Sequence, residues 1–144
     1  MDQSEKPAAG ALRCVVVTPE ATVVDTQAGF VALPLFDGEI GIAPLHSPMI
    51  GRLGYGEMRI RDGAQTRSYY VDGGFVQVAD NVVSVLTNRA VPAESLDAAV
   101  AAEHLEHARS KPASGEEAVV LRQQQIDQAR AQLRVVRRQG AGSY

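Results

Sequence analysis

Residues 11–89 carry short apolar runs separated by turn-forming residues. Seven runs have the length and the β-branched or aromatic content of strands: 12–17, 22–26, 30–35, 58–61, 66–70, 75–79 and 82–87. Asp62-Gly63 lies between the fourth and fifth runs, and Asp80-Asn81 lies between the last two, which predicts two β-hairpins. Asp72-Gly73-Gly74 predicts a further turn or bulge. Many short strands with frequent turns indicate an all-β sandwich or flattened barrel.

The hydrophobic period changes from that of strands to that of helices at Pro92, because proline cannot continue a central strand. Ser95 is expected to cap the first helix, with Asp97 in its first turn. Lys111-Pro112 is expected to end this helix. One of its sides carries a stripe of small or apolar residues: Ala98, Ala101, Ala102, Leu105 and Ala108. Such a stripe lets a second helix approach closely.

A Ser-x-x-Glu capping box at residues 114–117 predicts the start of a second helix. Val119, Ile126 and Leu133 recur along it at heptad spacing, with Ala129 and Val136 beside them. Gly140 and Gly142 are expected to end it. The short connection predicts an antiparallel hairpin, which is too small to be stable alone and must pack against the sandwich or a partner.

These patterns divide the chain into four parts. We expect a disordered tail over 1–10, a β-sandwich domain over 11–89, a helical hairpin domain over 90–139 and a flexible tail over 140–144. The start of the sequence lacks the apolar core of a signal peptide, and no apolar run approaches the roughly 20 residues of a membrane span. The single cysteine, Cys14, allows no intrachain disulfide and indicates a reducing compartment.

The charge of the chain is distributed unevenly. Its net charge of −3 argues against nucleic acid as a partner. Residues 92–117 hold six acidic and two basic residues, whereas residues 118–144 hold one acid and five arginines. The arginines are Arg122, Arg130, Arg134, Arg137 and Arg138. Cations favour a helix C-terminus, but four arginines within nine residues exceed that need, so this basic helix is a candidate for binding an acidic surface.

No motif for catalysis, metal binding or phosphate binding is evident. Ser47 follows His46 directly, so the two side chains point to opposite faces of an extended chain and cannot form a catalytic pair. His104 and His107 are close enough on a helix to share an ion, but no third ligand is forced nearby, and a solvated pair is the simpler interpretation. Gly54-Tyr55-Gly56 precedes a strand rather than a helix and indicates a turn. No catalytic residue, metal ligand or cofactor is predicted.

Several segments together resemble the epsilon subunit of rotary F-type ATP synthases. They are DGEIGIAPLHSP at 37–48, GEMRI at 56–60, YVDGGF at 70–75, NVVSVL at 81–86, SLD at 95–97 and AQLRV at 131–135. They occur in the family's order and cover residues 12–138. The resemblance implies a ten-stranded sandwich followed by an antiparallel two-helix hairpin, in agreement with the patterns above.

The resemblance also implies a rotor component of the central stalk that couples the gamma subunit to the c-ring in proton-driven ATP synthesis by the whole complex. Gly38, Glu39, Gly41 and His46 fall at the family's rotor interface, and the two glycines are expected to permit a tight loop that presents Glu39. The protein would be a non-catalytic, peripheral subunit on the cytoplasmic face of a bacterial-type inner membrane. Coupling to sodium instead of protons stays open.

The hairpin would regulate ATP hydrolysis by moving. We expect it to dock on the sandwich in one state and to extend its arginines toward the beta subunit in the other, with a hinge from Asn88 to Ala93 that includes Pro92. Some relatives bind ATP through a Leu/Ile-Asp-x-x-Arg-Ala motif. Leu96 and Asp97 match it, but Val100 replaces the arginine, so ATP binding is not expected. The alternatives are a stand-alone sandwich-and-hairpin adaptor and, third, a metal-dependent enzyme using His46.

Overall fold

The computed structural model describes residues 10–141. Most of the predicted N-terminal tail (1–9) and the end of the predicted C-terminal tail (142–144) lie outside the described residues. The described chain forms ten strands, a single 3-10 turn and two helices. The strands are β1 (Leu12–Val17), β2 (Thr22–Ala28), β3 (Phe30–Leu35), β4 (Gly38–Ile42), β5 (Met49–Arg52), β6 (Tyr55–Asp62), β7 (Gln65–Asp72), β8 (Phe75–Ala79), β9 (Val82–Leu86) and β10 (Ala90–Pro92). The 3-10 turn spans Ala93–Ser95, and the helices are α1 (Ala98–Ser110) and α2 (Glu116–Ala141).

The ten strands form two five-stranded sheets. Sheet I has the order β2-β1-β9-β8-β5, and sheet II has the order β10-β7-β6-β3-β4. Every pairing is antiparallel except that of β1 with β9. The predicted hairpins at Asp62-Gly63 and Asp80-Asn81 are observed as β6–β7 and β8–β9. The expected sandwich followed by two helices is therefore confirmed.

The core lies between the sheets and is built mainly of valine, leucine and isoleucine. Alternate residues of each strand point into it, among them Val16, Val85, Met58 and Ile60, all at most 1% exposed. Asp72-Gly73-Gly74 carries the chain from sheet II to sheet I. Gly74 has a φ of +103°, and a Cβ there would lie 1.9 Å from the carbonyl oxygen of Leu86. Only glycine therefore fits this crossing.

The hairpin packs against itself and against sheet II. Ala101 and Ala108 of α1 are buried against Ile126 and Ala129 of α2, and Leu105 is half-buried. Ala98 and Ala102 are exposed, so only part of the predicted stripe of small residues lies in the helix interface. Val119 is 50% exposed, which corrects its predicted place in the buried heptad pattern. The packing of α2 against β6 and β7 explains why a hairpin of this size is stable here.

The boundaries of the hairpin differ from those predicted. β10 pairs with β7 through residues 90–92, so the sheet extends beyond the predicted domain boundary at 89. Asp97, not Ser95, caps α1, because its Oδ1 accepts hydrogen bonds from the backbone N–H groups of Ala99 and Val100. The carbonyl of Gly115 accepts the first helical bond of α2, one residue later than the capping box requires.

The end of α2 also differs, because the helix continues through Gly140 to Ala141 rather than ending at 139.

Candidate functional site

The hairpin docks on the outer face of sheet II through a small apolar cluster. Tyr70 of β7 is fully buried there, beneath Ala131 and Val135 of α2 and beside Ala93. The hydroxyl of Tyr70 has no hydrogen-bond partner within residues 10–141. Burial, followed by the charge of Asp72, raises the pKa of this hydroxyl. The nearby Gln132 side chain acts to lower this pKa, but its contact with the hydroxyl does not have the geometry of a hydrogen bond. The docked interface thus buries the Tyr70 hydroxyl without a hydrogen-bond partner among the described residues.

A row of ion-paired side chains with alternating charge lies beside this cluster. The Arg59 guanidinium donates to Glu39 Oε1 and to Glu57 Oε1, each at 3.1 Å. Glu57 stands opposite Tyr70 in the β6–β7 pairing and is only 7% exposed. The α2 helix completes the row, because Arg138 Nε lies 3.5 Å from Glu57 Oε1 and Gln139 Nε2 donates to Glu57 Oε2 at 3.3 Å.

The charge of Arg59 is held firmly in this arrangement. Burial alone lowers the pKa of its guanidinium, but the hydrogen bonds to Glu39 and Glu57 outweigh burial and raise that pKa above its ordinary value. A buried carboxylate such as Glu57 needs such partners, since an unpaired charge in that position is costly. Arg138 is therefore one of two cations that stabilise Glu57, and it is the one that the hairpin supplies.

The predicted rotor-interface residues lie along β4 and after it. Glu39 is the second residue of β4, one position after the residue that follows the two-residue β3–β4 turn, and its side chain is half exposed despite the pairing with Arg59. Gly38 is at the turn with a φ of +152°. Gly41 lies within the strand rather than in a loop, where a Cβ would meet the Phe30 ring at 2.6 Å. Gly41 therefore makes room for an aromatic ring, which corrects its expected role in a loop.

His46 lies at the other end of β4 from Glu39, in the connection that carries the chain from sheet II to sheet I. It is half-buried, and its Nδ1 is 2.7 Å from the Ser47 carbonyl oxygen. Leu45 before it adopts a φ of 67°, and its N–H donates to the Asn81 side chain. The structure therefore does not bring Glu39 and His46 together, and it holds the His46 connection against the β8–β9 turn.

The five arginines of α2 have different surroundings. Arg122 donates from Nε to the Ala108 carbonyl at 3.1 Å and from Nη2 to the Arg109 carbonyl at 2.9 Å. It therefore caps the C-terminus of α1 and joins the two helices. Arg138 pairs with Glu57 as described. The remaining three are exposed and form no ion pair within the described part of the chain: Arg130, Arg134 and Arg137.

The predicted hinge residues are held by the sandwich. Asn88 donates from its side chain to the Asp72 carbonyl oxygen at 3.1 Å. Pro92 is the last residue of β10 and is paired with Tyr69. A hinge between these residues would break the edge strand, whereas the residues between β10 and Asp97 lie outside both the sheet and α1.

The residues that match the ATP-binding motif have structural tasks here. Leu96 packs against the Tyr70 cluster, and Asp97 caps α1. Val100 is exposed and has no charge to offer a phosphate.

An apolar surface that the sequence analysis did not identify lies on the outer face of sheet I. Leu86 is paired with Val17 on one side and with Phe75 on the other, so the three form a row across β1, β9 and β8. Phe75 is 57% exposed and Leu86 is 56% exposed. Ile50 on β5 points outward from the same sheet. In the sequence, this surface is indicated by apolar residues at the outward as well as the inward positions of β8 and β9. Exposed apolar patches of this kind mark interaction surfaces.

Reactive chemistry finds little support in the described residues. No group of three or more histidine, cysteine, aspartate or glutamate side chains in residues 10–141 is arranged to hold a metal ion. Cys14 is fully buried, and burial raises the pKa of its thiol to about 12. Neither described helix combines the length and apolarity needed to cross a bilayer. The geometry thus offers binding surfaces, whereas the metal-dependent enzyme built on His46 has no supporting cluster among these residues.

Known structures share this fold. A chain of the mitochondrial ATP synthase of Euglena gracilis, from a structure of its OSCP/F1/c-ring part, superposes with a TM-score of 0.71 at 24% identity, covering 99% of this chain and 86% of that one. A chain from the central stalk and c-ring of the Tetrahymena thermophila enzyme gives a TM-score of 0.69 at 12% identity, covering 87% of this chain and 96% of that one. At these identities the likeness establishes the fold.

Sequence comparisons establish the family. The model of the ATP synthase Delta/Epsilon chain β-sandwich domain matches residues 11–93. An ATP synthase epsilon chain of Rhodopirellula baltica is 49% identical over 126 residues, covering 88% of this chain and 98% of the relative. One from Desulfitobacterium hafniense is 37% identical over 131 residues, covering 90% and 92%. The stand-alone adaptor is not favoured by these matches. The chain belongs to the family of F-type ATP synthase epsilon subunits.

Proposed function

We propose that this chain is a non-catalytic rotor component, which binds the gamma subunit and the c-ring through its sandwich and restrains ATP hydrolysis through its hairpin. It would work as a peripheral subunit on the cytoplasmic face of a bacterial inner membrane. The single observation that carries the proposal is the unequal cover of the two sheets. The α2 helix covers β6 and β7 of sheet II, whereas the outer face of sheet I presents an open apolar row.

The outer face of sheet I is the surface that we assign to the gamma subunit. Val17, Leu86 and Phe75 form an apolar row across the three inner strands of sheet I, at one end of those strands, and burying such area drives most stable protein association. The same face would be an aggregation risk if it stayed exposed. Membership of the epsilon family names the partner, and the relatives from ATP synthase central stalks support that choice.

We assign the contact with the c-ring to the Gly38–Glu39 end of β4, where a half-exposed carboxylate is presented by a tight turn. The His46 connection at the other end of the strand is a second, separate contact with the rotor. The sandwich would thus be held at more than one edge, which suits a part that transmits torque.

The hairpin is the regulatory part of the proposal. In the docked state Arg122 is bound within the hairpin, so the arm would meet carboxylates of the beta subunit with Arg130, Arg134, Arg137 and a released Arg138. Exposed ion pairs contribute about 0–1 kcal/mol each. A shift from mostly docked to mostly extended needs about 5.5 kcal/mol of differential binding, so several pairs and apolar contacts must act together. The hinge is proposed to lie between Pro92 and Asp97, where the chain has left the sheet and has not yet entered α1.

Co-purification tests the binding function. The double variant Phe75→Ser, Leu86→Ser should lose gamma, because it removes apolar area from the exposed row without touching the core. The matched control Val119→Ser, Val120→Ser alters exposed apolar residues of α2 and should retain gamma. If the wild-type chain fails to co-purify with gamma and c-ring subunits from membranes, the proposed function is wrong.

Truncation tests the regulatory function. A chain ending at Ser95 keeps β10 and the buried Ala93 but lacks both helices. In the assembled synthase this truncation should raise ATP hydrolysis while ATP synthesis continues. An unchanged rate of ATP hydrolysis would refute the proposal that the hairpin restrains hydrolysis, but would not affect the proposed role in coupling gamma to the c-ring.

A further inference from the structure

We propose that Glu39, Arg59, Glu57 and Arg138 form a charge relay, through which a cationic group that binds Glu39 loosens the docked end of α2. The relay joins the exposed edge of the sandwich, proposed above as a rotor contact, to the movable arm. It rests on the proposed function only in that the arm must have a released state. It adds a specific route by which the contact at one site biases the other.

The relay depends on one shared oxygen atom. Arg59 Nη1 lies 3.1 Å from Glu57 Oε1, and Arg138 Nε lies 3.5 Å from the same atom. Two guanidinium groups thus converge on a single carboxylate that is almost fully buried. Glu39 pairs with Arg59 from the outer side, so the four charges alternate and their sum is zero.

A cation that takes Glu39 away from Arg59 changes this balance. Arg59 and Arg138 would then share Glu57 alone, which leaves two positive charges on one negative charge at short range. Arg59 is fixed on β6 at the centre of sheet II, whereas the Arg138 side chain is 58% exposed and belongs to the arm. Arg138 and the end of α2 that carries it therefore dissociate from Glu57, and Arg59 pairs with Glu57 alone.

The coupling is reciprocal by thermodynamic necessity. If binding at Glu39 weakens docking, then docking weakens binding at Glu39 by the same factor. When the hairpin is docked, Arg59 pairs with both Glu39 and Glu57, and Glu39 is partly neutralised. When the hairpin is extended, Arg59 pairs mainly with Glu57, and Glu39 is more available to another cation. The predicted partner group is a lysine or arginine side chain, because only a cation competes with Arg59 for this carboxylate.

Thiol labelling of the full chain measures arm release directly. Ala131→Cys places a thiol on the α2 face that packs on Tyr70, where the native residue is 1% exposed. Its labelling rate reports how often the arm opens, even when the open state is rare. The native Cys14 lies in the sandwich core, so its labelling reports opening of the sandwich itself. Ala93→Cys, on the sandwich side of the same cluster, provides a second reporter should the first disturb packing.

In the Ala131→Cys background, Glu39→Gln and Arg138→Met should each speed labelling at position 131 about two- to fivefold, the range for partly exposed ion pairs. Labelling of Cys14 should not change. The matched controls are Asp37→Asn and Arg137→Met, which remove the same charges at neighbouring exposed positions that form no ion pair within residues 10–141.

The double variant Glu39→Gln, Arg138→Met tests whether the two substitutions loosen the docked helix through the same set of ion pairs or independently of each other. A relay predicts that Glu39→Gln has no further effect once Arg138 is gone. Additive effects, or a Glu39→Gln variant that labels at the wild-type rate or more slowly, would overturn the relay. Because the isolated full chain is used, such a failure is distinct from a failure to bind gamma or the c-ring.

Discussion

Replacing Arg122 with methionine tests the finding that this arginine holds the hairpin together. Methionine keeps a long apolar side chain but removes both hydrogen bonds to the Ala108 and Arg109 carbonyls. Those carbonyls belong to the last turn of α1, where the helix has no partners of its own for them. The guanidinium also lies at the negative end of the α1 dipole.

The expected loss follows from these contacts. Hydrogen bonds from charged donors contribute about 1.5–3 kcal/mol each when well buried. Arg122 is only half-buried and water can replace part of what it provides, so we expect a total loss of about 1–2 kcal/mol, or about 5- to 30-fold in the opening equilibrium. Because a helix of 13 residues such as α1 has little stability on its own, the whole of this loss should appear in the free energy of opening of α1.

Hydrogen exchange of the full chain is the appropriate assay. Amide protection in α1 should fall by that factor, while protection in β1 and β9 stays constant. Arg130→Met is the matched control, because Arg130 is on the same helix, is exposed and makes no ion pair among residues 10–141. Unchanged protection of α1 in Arg122→Met would show that the two hydrogen bonds contribute nothing, and Arg122 would return to the set of arginines available to the beta subunit.

Three further predictions concern buried or paired groups. Tyr70→Phe removes the unpaired buried hydroxyl and should stabilise the docked arm by about 1–3 kcal/mol; a lower melting temperature would contradict this. Hydrogen bonding from Arg13 lowers the pKa of Asp25, so the contribution of the pair is complete above the unfolded-state pKa of about 3.9 and is lost as pH falls through the lower, folded value. Urea unfolding of Asp25→Asn should therefore show a larger deficit at pH 7 than at pH 2, and an equal deficit would be evidence against it. Cys14, whose thiol pKa is raised to about 12 by burial, should resist maleimide at pH 8 until the chain is unfolded in urea, and rapid native labelling would disprove that.

Position in the sheet separates the strands that the apolar pattern predicts from those that it does not, with the edge strand β2 as the exception. The seven apolar runs correspond to β1, β2, β3, β6, β7, β8 and β9. β4, β5 and β10 are all edge strands, which pair on one side only. Edge positions tolerate Gly41, Gly51 and Pro92, so these strands lack the alternation that made the others visible. Pro92 predicts the end of the strand region before it, whereas in the structure it occupies the last position of an edge strand.

The candidate site was harder to predict than the fold. Glu39 was identified only because the family resemblance drew attention to it. Glu57 occupies an outward position of β6, where an acid is normally solvated, and nothing nearby in the sequence indicates its burial. Its cover comes from α2, with Gln139 bonding to it from 82 residues further along. Contacts between distant segments of one chain leave no local signal, and this is why the relay appears only in the folded structure.

The parallel pairing of β1 with β9 has a consequence for how the protein forms on the ribosome. β1 lies second in sheet I and needs residues 82–86 on its inner side, so the sheet cannot close until nearly the whole sandwich has been synthesised. The non-local pairing makes this a slow step compared with forming the hairpins. The helices are made last, and they therefore meet a body whose docking face is already complete.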